Sequence, residues 1–204
     1  MFLVGVDRDG TIIEDVDYLG RRDNWIYQIE FTEEVFTGLW RLTSKKDFKV
    51  VVITNQAGIA RGFFDCKRVE EINQTLDRKL KEEGVVLDGW YYCPFVTKGY
   101  AYDKKIPLDS PWIKESYLRK PGIRMLEKFA KDFGIRLCDF EGIYVVGDKT
   151  SDIRTGLNAK GKGIWFRGNE YEFKKEYKRY YKDRVFIAKN WEEVSDIIIK
   201  DSMK

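Results

Sequence analysis

The sequence contains no histidine, and this absence excludes several classes of enzyme at once. Ser-His-Asp hydrolases, His-Glu-x-x-His metalloproteases, zinc fingers with two histidine ligands, phosphohistidine enzymes and haem proteins with a histidine ligand all require an imidazole. Any catalysis by this chain must therefore use carboxylates, lysine or cysteine.

Cysteine is scarce as well. Cys66, Cys93 and Cys138 lie far apart and include no C-x-x-C pair, so they cannot form a four-cysteine zinc site or a paired disulfide framework. We therefore expect a reducing, cytoplasmic location. Long apolar runs are missing too: no stretch approaches the ~18 residues of a membrane span, and no basic region precedes the first apolar run. We expect no membrane partner and no export signal.

Proline and glycine are infrequent, with 4 and 17 residues among 204, whereas 43% of the residues are hydrophobic and 15% are aromatic. This composition excludes a disordered or fibrous chain and indicates a folded globular protein. The length predicts a single domain over residues 1–204, because compact domains commonly have ~100 to 200 residues.

The net charge of +3 conceals an uneven distribution of charges. Residues 1–40 hold three arginines against nine acidic residues, which suits a metal ion. Residues 160–184 hold nine basic residues against four acidic ones. This basic stretch could bind phosphate or nucleic acid, but its alternating charges favour a solvated helix face.

Short β-branched runs alternate with helical patterns along the whole chain. This alternation predicts an α/β fold, a three-layer, doubly wound parallel sheet with crossover helices. The predicted strands are Phe2–Val6, Phe48–Ile53, Gly89–Tyr92, Gly142–Val146, Gly163–Phe166 and Val185–Ile187. The predicted helices are Glu33–Lys45, Cys66–Glu83, Pro121–Phe133, Ser151–Ala159 and Trp191–Lys200, with Pro121 in a first helical turn. Residues 14–31 and 95–118 are predicted as long loops that cover or build a site.

Polar residues follow four of the apolar runs, and ligands of an open parallel sheet bind at the carboxyl ends of its strands. The groups are Asp7-Arg8-Asp9-Gly10-Thr11, Thr54-Asn55-Gln56, Arg119-Lys120-Pro121 and Gly147-Asp148-Lys149. Carboxylates crowded at a buried strand end need a cation, and an all-oxygen site suits Mg²⁺. Each group alone could be an ordinary turn or helix cap, but together they offer the nucleophile, metal, donors and cation of phosphoryl transfer.

The motifs resemble those of the haloacid dehalogenase (HAD) superfamily of aspartyl-phosphate phosphatases. DRDGT, a strand ending in Thr54, Lys120 and GDKTSD follow in the order of that superfamily. The segments VVVITNQAGIARG, YYCP, RKPG and VGDKTSDI resemble its branch of D-glycero-D-manno-heptose 1,7-bisphosphate and histidinol-phosphate phosphatases. The likeness covers residues 2–166, before a C-terminal strand and helix at 167–204. It implies a HAD-like, Rossmann-like fold with loop insertions and no large cap domain.

The resemblance also implies roles for individual residues. Asp7 would be the nucleophile, and Asp9 the acid that protonates the leaving oxygen and then activates water. Mg²⁺ would be bound by Asp7, Asp148 and the backbone carbonyl of Asp9. Thr54 and Asn55 would hold the transferring phosphoryl group, and Lys120 would offset its charge. The implied substrate contacts are Arg119, Gln56, Asp15, Asp17, Tyr18 and Lys149, of which Arg119 could grip a second phosphate.

One departure from the resemblance concerns zinc. The heptose bisphosphate phosphatases usually carry four zinc ligands in a loop, and here only Cys93 remains, with Phe95, Ser116 and Leu118 in the other places. A single thiolate cannot hold structural zinc, so we expect none. The loop's aromatic residues could pack it down or line the pocket mouth, and packing is the favoured interpretation for Tyr100, Tyr102, Trp112 and Tyr117.

The sequence leaves the substrate open. A magnesium-dependent phosphomonoesterase of a small phosphorylated metabolite is the favoured reading, with a heptose 1,7-bisphosphate losing its 7-phosphate. Histidinol phosphate is an alternative, and a nucleic-acid 3′-phosphatase is another, although no recognisable nucleic-acid module is present. A binding protein with a dead site is disfavoured by the intact acidic and lysine set. We expect a monomer with no nucleic-acid partner.

Overall fold

The computed structural model describes residues 1–169, 171, 175, 177, 181 and 183–204. Six strands form one parallel sheet: β1 Phe2–Val6, β2 Phe48–Asn55, β3 Gly89–Cys93, β4 Gly142–Gly147, β5 Lys162–Phe166 and β6 Val185–Ala188. Their order in the sheet is β3-β2-β1-β4-β5-β6. The predicted parallel α/β sheet is confirmed, and each predicted strand is present to within two residues at either end.

The helices that cover the sheet are α1 Val35–Thr43, α2 Ala57–Ala60, α3 Cys66–Glu82, α4 Lys98–Asp103, α5 Arg124–Asp132, α6 Thr150–Asn158 and α7 Trp191–Ser202. A short 3-10 turn, Trp25–Gln28, lies in the first long loop. The α4 helix lies within the segment predicted as the second loop. Among the described residues, no helix has both the length and the apolarity that crossing a membrane would require.

Two apolar layers sandwich the sheet because alternate residues of a strand point to opposite faces. Val4 and Val6 of β1 pack in the layer beneath α1, α3 and α7, whereas Leu3 packs with α5 on the other face. In α1 the buried residues are Val35, Gly38, Leu39 and Leu42, which is the spacing of one helical face. At Gly38 a side chain would meet Trp191 at 2.6 Å, so glycine permits the close crossing of α1 and α7.

The prediction that Pro121 starts a helix was wrong. The helix α5 begins three residues later, at Arg124, because residues 119–122 form a turn instead. In that turn the Gly122 amide donates to the Arg119 carbonyl at 2.7 Å, and the Lys120–Pro121 peptide bond is cis. The turn directs Lys120 toward the sheet rather than along a helix.

The order of the strands decides where polar side chains can meet. The chain leaves β1 for β2 and β3 on one side, then returns to place β4 on the other side of β1. The crevice at such a reversal, beyond the carboxyl ends of the strands, is where open α/β sheets bind ligands. Because Val6 of β1 lies beside Val52 and Val146, the residues that follow all three strands are brought to one edge.

The charged helix face predicted at residues 170–184 lies largely outside the described residues. The C-terminal strand and helix predicted within 167–204 are present as β6 and α7, and β6 extends the sheet beside β5. Trp191 at the start of α7 is fully buried, and its indole N–H donates to Thr11 O and to Thr32 Oγ1. These bonds tie the last helix to the loop that follows β1.

Candidate active site

A cavity of about 610 Å³ opens at the carboxyl edge of β1 and β2. Every residue predicted to act in catalysis or substrate contact lines it: Asp7, Asp9, Asp15, Asp17, Tyr18, Thr54, Asn55, Gln56, Arg119, Lys120 and Lys149. Asp148, predicted as a metal ligand, lies beside Asp7 at the same edge. The fold therefore brings the predicted residues together, and the role of each residue stays a prediction.

Asp7 is the first residue after β1, and it is almost completely buried. Its amide donates to Val146 O at 2.9 Å, which fixes the backbone where β1 meets β4. Its Oδ1 accepts from the Arg8 amide at 2.8 Å and lies 2.7 Å from Lys120 Nζ. Burial raises the pKa of Asp7 to about 6, with Lys120 opposing the rise and neighbouring carboxylates adding to it. With a pKa of about 6 the carboxylate is mostly ionised at neutral pH, and the Lys120 ammonium is one reason that the pKa is not higher.

Lys120 is held from several sides and is only 3% exposed. Its ammonium donates to Ile53 O at 2.8 Å and lies 2.6 Å from Asp152 Oδ1. Its backbone is fixed by Asn55, whose side chain accepts from the Lys120 amide at 3.0 Å and donates to the Lys120 carbonyl at 3.2 Å. Burial alone would lower the pKa of Lys120, but Asp152 and Asp7 raise it above the usual value. The cation is thus permanent and precisely located beside Asp7.

Both oxygens of the Asp9 carboxylate have donors. Arg8 Nε and Nη2 donate to Oδ1 at 3.2 and 3.1 Å, and Gln56 Nε2 donates to Oδ2 at 2.8 Å. Thr54 Oγ1 is 3.4 Å from Oδ2 and accepts from Gln56 Nε2 at 2.9 Å. Arg8 is itself buried, and its Nη1 donates to Asn73 Oδ1 at 2.9 Å. The orientation of Asp9 is therefore set by side chains from β2, α3 and its own loop.

The pKa of Asp9 is shifted in the direction opposite to the one that its predicted role as an acid requires. Burial alone would raise the pKa of Asp9, but the Arg8 charge and the hydrogen bonds from Arg8 and Gln56 bring it below the ordinary value. An acid that holds a proton at neutral pH needs the opposite shift. The cause is the buried guanidinium of Arg8, to which the sequence pattern had assigned no role. The acid role of Asp9 stays a prediction.

Three carboxylates form a group with the spacing of a metal site. One oxygen each of Asp7, Asp148 and Asp152 lies within 4.8 Å of the others. Asp148 Oδ1 is buried, with no hydrogen-bond donor among the described residues. Burial raises the pKa of Asp148 to about 6, although Lys149 opposes the rise. These oxygen donors and the unpartnered Oδ1 fit a hard divalent cation such as Mg²⁺.

Within this group the three acids are not equivalent. Asp152 is fully buried, and its oxygens are occupied by Lys120 Nζ and by the Lys149 amide, which donates to Oδ2 at 3.0 Å. Asp152 therefore orients Lys120, while Asp7 and Asp148 keep oxygens for a cation. Gly10 has a φ of +83°, and a Cβ there would lie 2.4 Å from Asp148 Oδ2. Glycine is required at this close approach.

The predicted substrate contacts come from several segments around the cavity. On one side Lys149 Nζ pairs with Asp15 Oδ2 at 3.1 Å, and Asp17 pairs with Arg21 at 3.3 Å. On the other side Arg119 Nη1 donates to Phe95 O at 3.2 Å. That bond uses one of its two terminal nitrogens, and the guanidinium still lines the cavity.

The aromatic residues of the second loop are divided between packing and the cavity. Trp112 packs beside Phe95, with ring centroids 6.0 Å apart, as favoured from the sequence. Tyr100 instead lines the cavity and contacts Tyr18, and Tyr102 and Tyr117 are exposed. Lining the pocket is the interpretation that the sequence favours less for Tyr100, and the sequence pattern assigns no role to Arg8. The several tyrosines of this loop indicated that one of them could line the cavity. Nothing in the sequence distinguished Tyr100 from the others.

Cys93 lies at the end of β3, fully buried, with Sγ 3.7 Å from Phe95 O. Burial raises the pKa of its thiol. Among the described residues, the acidic group above is the one cluster of possible metal ligands found, and it contains no cysteine. The absence of zinc stays a prediction.

The comparisons with known proteins agree with this geometry. Residues 3–190 match the family described as polynucleotide kinase 3 phosphatase. The D-glycero-alpha-D-manno-heptose-1,7-bisphosphate 7-phosphatase of Photorhabdus laumondii is 33% identical over 154 residues, 76% of this chain and 75% of that protein. The D-glycero-beta-D-manno-heptose-1,7-bisphosphate 7-phosphatase of Escherichia coli K12 is 36% identical over 154 residues, 76% of this chain and 72% of that protein.

Solved structures share the fold. A putative HAD-like phosphatase from Mesorhizobium loti superimposes with a TM-score of 0.74 at 25% identity, covering 96% of this chain and 83% of that one. The D,D-heptose 1,7-bisphosphate phosphatase of B. bronchiseptica, complexed with magnesium and phosphate, superimposes with a TM-score of 0.72 at 23% identity, covering 98% and 99% of the two chains.

Proposed function

Because this chain belongs to the polynucleotide kinase 3 phosphatase family of HAD phosphatases and is a phosphatase, we propose that it releases the 7-phosphate of D-glycero-D-manno-heptose 1,7-bisphosphate. One observation carries the proposal. The buried Asp7 carboxylate lies 2.7 Å from the Lys120 ammonium and beside Asp148, at the edge of a cavity large enough for a sugar phosphate. A nucleophile, a fixed cation and metal-binding oxygens are the requirements of phosphoryl transfer.

In the first half of the reaction, an Asp7 oxygen attacks phosphorus and the bond from phosphorus to the sugar oxygen breaks. Asp9 must be protonated for this step, and the negative charge of the bound phosphate favours its protonation against the effect of Arg8. It gives that proton to the leaving oxygen, which leaves an aspartyl phosphate and a free hydroxyl. In the second half, Asp9 takes a proton from water as the water oxygen attacks phosphorus. The bond from phosphorus to the Asp7 oxygen breaks, which releases inorganic phosphate and regenerates the Asp7 carboxylate. Lys120 and the polar groups of Thr54 and Asn55 stabilise the phosphoryl oxygens.

Asp7 and Asp148 would hold Mg²⁺, with the Asp9 carbonyl as the third protein ligand implied by the resemblance. When bound, the cation neutralises charge on the phosphoryl oxygens and keeps Asp7 ionised. Asp152 supports this arrangement, because it holds Lys120 close to Asp7 and its own oxygens are engaged by Lys120 and by the Lys149 amide.

The relatives support a heptose bisphosphate, and they include enzymes named for the α and for the β anomer. Histidinol phosphate remains the second candidate. A polynucleotide 3′-phosphate is the third candidate substrate, because the matched family is named for a polynucleotide phosphatase. The reacting residues lie deep beside loops that narrow the approach, which favours a small phosphorylated metabolite over a nucleic acid.

The direct test is phosphate release from the two anomers, from histidinol phosphate and from a 3′-phosphorylated oligonucleotide, with EDTA and with Mg²⁺. We expect the highest kcat/KM on one heptose bisphosphate anomer, and no turnover in EDTA. Asp7→Asn should abolish release, because an amide of the same volume is no nucleophile. Faster turnover of histidinol phosphate or the oligonucleotide would reject the substrate, and full activity in Asp7→Asn would reject the mechanism.

Asp9→Asn tests the acid separately. Its loss of rate should be on the order of 10²- to 10⁴-fold for a sugar phosphate, and much smaller for p-nitrophenyl phosphate, whose leaving group needs little protonation. The readout is the kcat ratio of the two substrates. An equal loss on both would show that Asp9 is not the acid.

A further inference from the structure

The segments at 14–31 and 95–118 meet beside the cavity at a contact between two hydroxyl groups. Tyr18 belongs to the segment at 14–31, and Tyr100 belongs to α4 in the segment at 95–118. Their Oη atoms are 3.1 Å apart, and both side chains line the cavity. We call this pair the tyrosine bridge.

Arg61 fixes the first half of the tyrosine bridge. Its Nη1 donates to Tyr18 Oη at 2.6 Å, and its guanidinium lies over the rings of Tyr18 and Phe63, at 4.7 and 4.5 Å. The Tyr18 and Phe63 rings also meet edge to face at 5.0 Å. Tyr18 has a φ of 58°, a conformation that costs a bulky residue free energy and persists only where surrounding contacts hold it.

The tyrosine bridge has one hydroxyl hydrogen that its own contacts do not use. Two phenol groups carry two hydroxyl hydrogens, and the contact between them uses one. In the contact with Arg61 the Tyr18 hydroxyl oxygen is the acceptor, so that hydrogen bond uses neither hydroxyl hydrogen. One hydroxyl hydrogen therefore stays available for an acceptor in the cavity, such as a sugar oxygen.

Arg119 lies against the second half of the tyrosine bridge. Its guanidinium is 5.1 Å from the centre of the Tyr100 ring, and Arg119 lines the cavity as well. The Tyr100 ring thus supports the cation predicted to meet a second phosphate, while the Tyr100 hydroxyl faces Tyr18. Both residues line the same cavity as the buried Asp7 and Lys120.

We propose that Tyr100 is a specificity-determining residue, which binds the non-reacting part of the substrate through its hydroxyl and holds Arg119 through its ring. The proposal deepens the proposed function and rests on it. The ligand class is a polyhydroxylated sugar phosphate, because hydroxyl donors and a cation beside an aromatic face match sugar oxygens and a second phosphate. An aryl phosphate, which has neither, gains nothing from the tyrosine bridge.

The test compares Tyr100→Phe with Tyr102→Phe on heptose 1,7-bisphosphate and on p-nitrophenyl phosphate. Tyr102 is the matched control, on the same helix and 81% exposed. A neutral hydrogen bond predicts that Tyr100→Phe raises KM for the bisphosphate about 3- to 10-fold with kcat nearly unchanged. On p-nitrophenyl phosphate the change should stay within about twofold, and Tyr102→Phe should match the wild type on both substrates.

A double-mutant cycle with Tyr18→Phe shows whether the two hydroxyls act together. If they do, the double variant loses about as much as either single variant, whereas independent groups would give multiplied losses. An unchanged KM in Tyr100→Phe, or equal losses on both substrates, would overturn the inference while leaving the proposed function intact. A wild type that hydrolyses p-nitrophenyl phosphate but not the bisphosphate would instead reject the proposed function, and this inference with it.

Discussion

Arg119 and Lys120 are adjacent in the sequence, yet their surroundings differ completely. Lys120 is buried among Asp7, Asp152 and Ile53 O, so its charge is committed to the reacting centre. Arg119 lines the cavity next to Tyr100 and donates to Phe95 O through one terminal nitrogen. Both residues lie in the turn at 119–122, where the Gly122 amide donates to the Arg119 carbonyl at 2.7 Å, so their side chains are not held on one helical face.

This contrast predicts different kinetic effects for the two residues. Arg119→Ala should lower kcat/KM for a bisphosphate on the order of 10- to 100-fold, mainly through KM, because a charge-assisted contact is worth ~1.5 to 3 kcal/mol. Lys120→Ala should lower kcat on every substrate. The measurements are kinetics on a bisphosphate and on an aryl phosphate. Arg119→Lys is the control that keeps the charge, and equal losses of Arg119→Ala on both substrates would place Arg119 in catalysis or folding.

At the scale of elements, α7 is attached to the sheet through Asp201 in its last turn. Tyr144 Oη of β4 donates to Asp201 Oδ2 at 2.8 Å, and Lys162 of β5 pairs with the same oxygen. The Asp201 side chain is only 7% exposed. Burial alone would raise its pKa, but the Lys162 and Tyr144 hydrogen bonds lower it below the ordinary value. These bonds join the C-terminal helix to two strands of the sheet.

Asp201→Asn should therefore lower the free energy of unfolding at pH 7 by about 1.5 to 3 kcal/mol, the typical contribution of a hydrogen bond to a charged group. A lowered pKa contributes stability above the unfolded pKa, ~3.9, and the contribution is lost as pH falls through the folded value. The gap between variant and wild type should thus close below about pH 4, as measured by urea unfolding. Asp196→Asn is the control, because it removes a half-exposed ion pair of α7 with Arg41 of α1, and a gap of the same size there would refute the buried anchor.

At the scale of the whole molecule, the site depends on the reversal of strand order around β1. Asp7 follows β1, Asp148 follows β4 and Thr54 ends β2, so no single element contains the site. The long loops at 14–31 and 95–118 then complete the cavity from both sides. We propose that the chain acts as one domain and as a monomer.

Metal binding should be visible in the stability of the whole protein. At ten times its Kd, Mg²⁺ should add about 1.4 kcal/mol, a rise in Tm of roughly 3 to 6 °C, because it binds the folded state. Asp148→Asn should abolish this rise, and elemental analysis should find no stoichiometric zinc. One zinc per chain would mean that Cys93 and the 95–118 segment have been misinterpreted, and a Tm shift retained in Asp148→Asn would move the cation elsewhere.

The sequence by itself determined the strands, most of the helices and most of the residues that line the cavity. Alternation of β-branched runs with helical patterns reports burial on a sheet, and residues such as Asp7 and Asp148 directly follow apolar runs, so both signals are local. The start of α5 was missed because Pro121 suits a turn as well as a first helical position, and the contacts of residues 119–122 decide between them.

Only the tertiary structure decided which side chains modify one another. Arg8 and Gln56 both lower the pKa of Asp9. Asn73 of α3 holds Arg8, and Gln56 follows β2, so these partners come from separations that no linear pattern encodes. Tyr100 was one of several tyrosines until α4 placed its hydroxyl against Tyr18. Hydrogen bonds and charge interactions depend on distances of a few ångströms, and those distances exist only once distant segments have packed together.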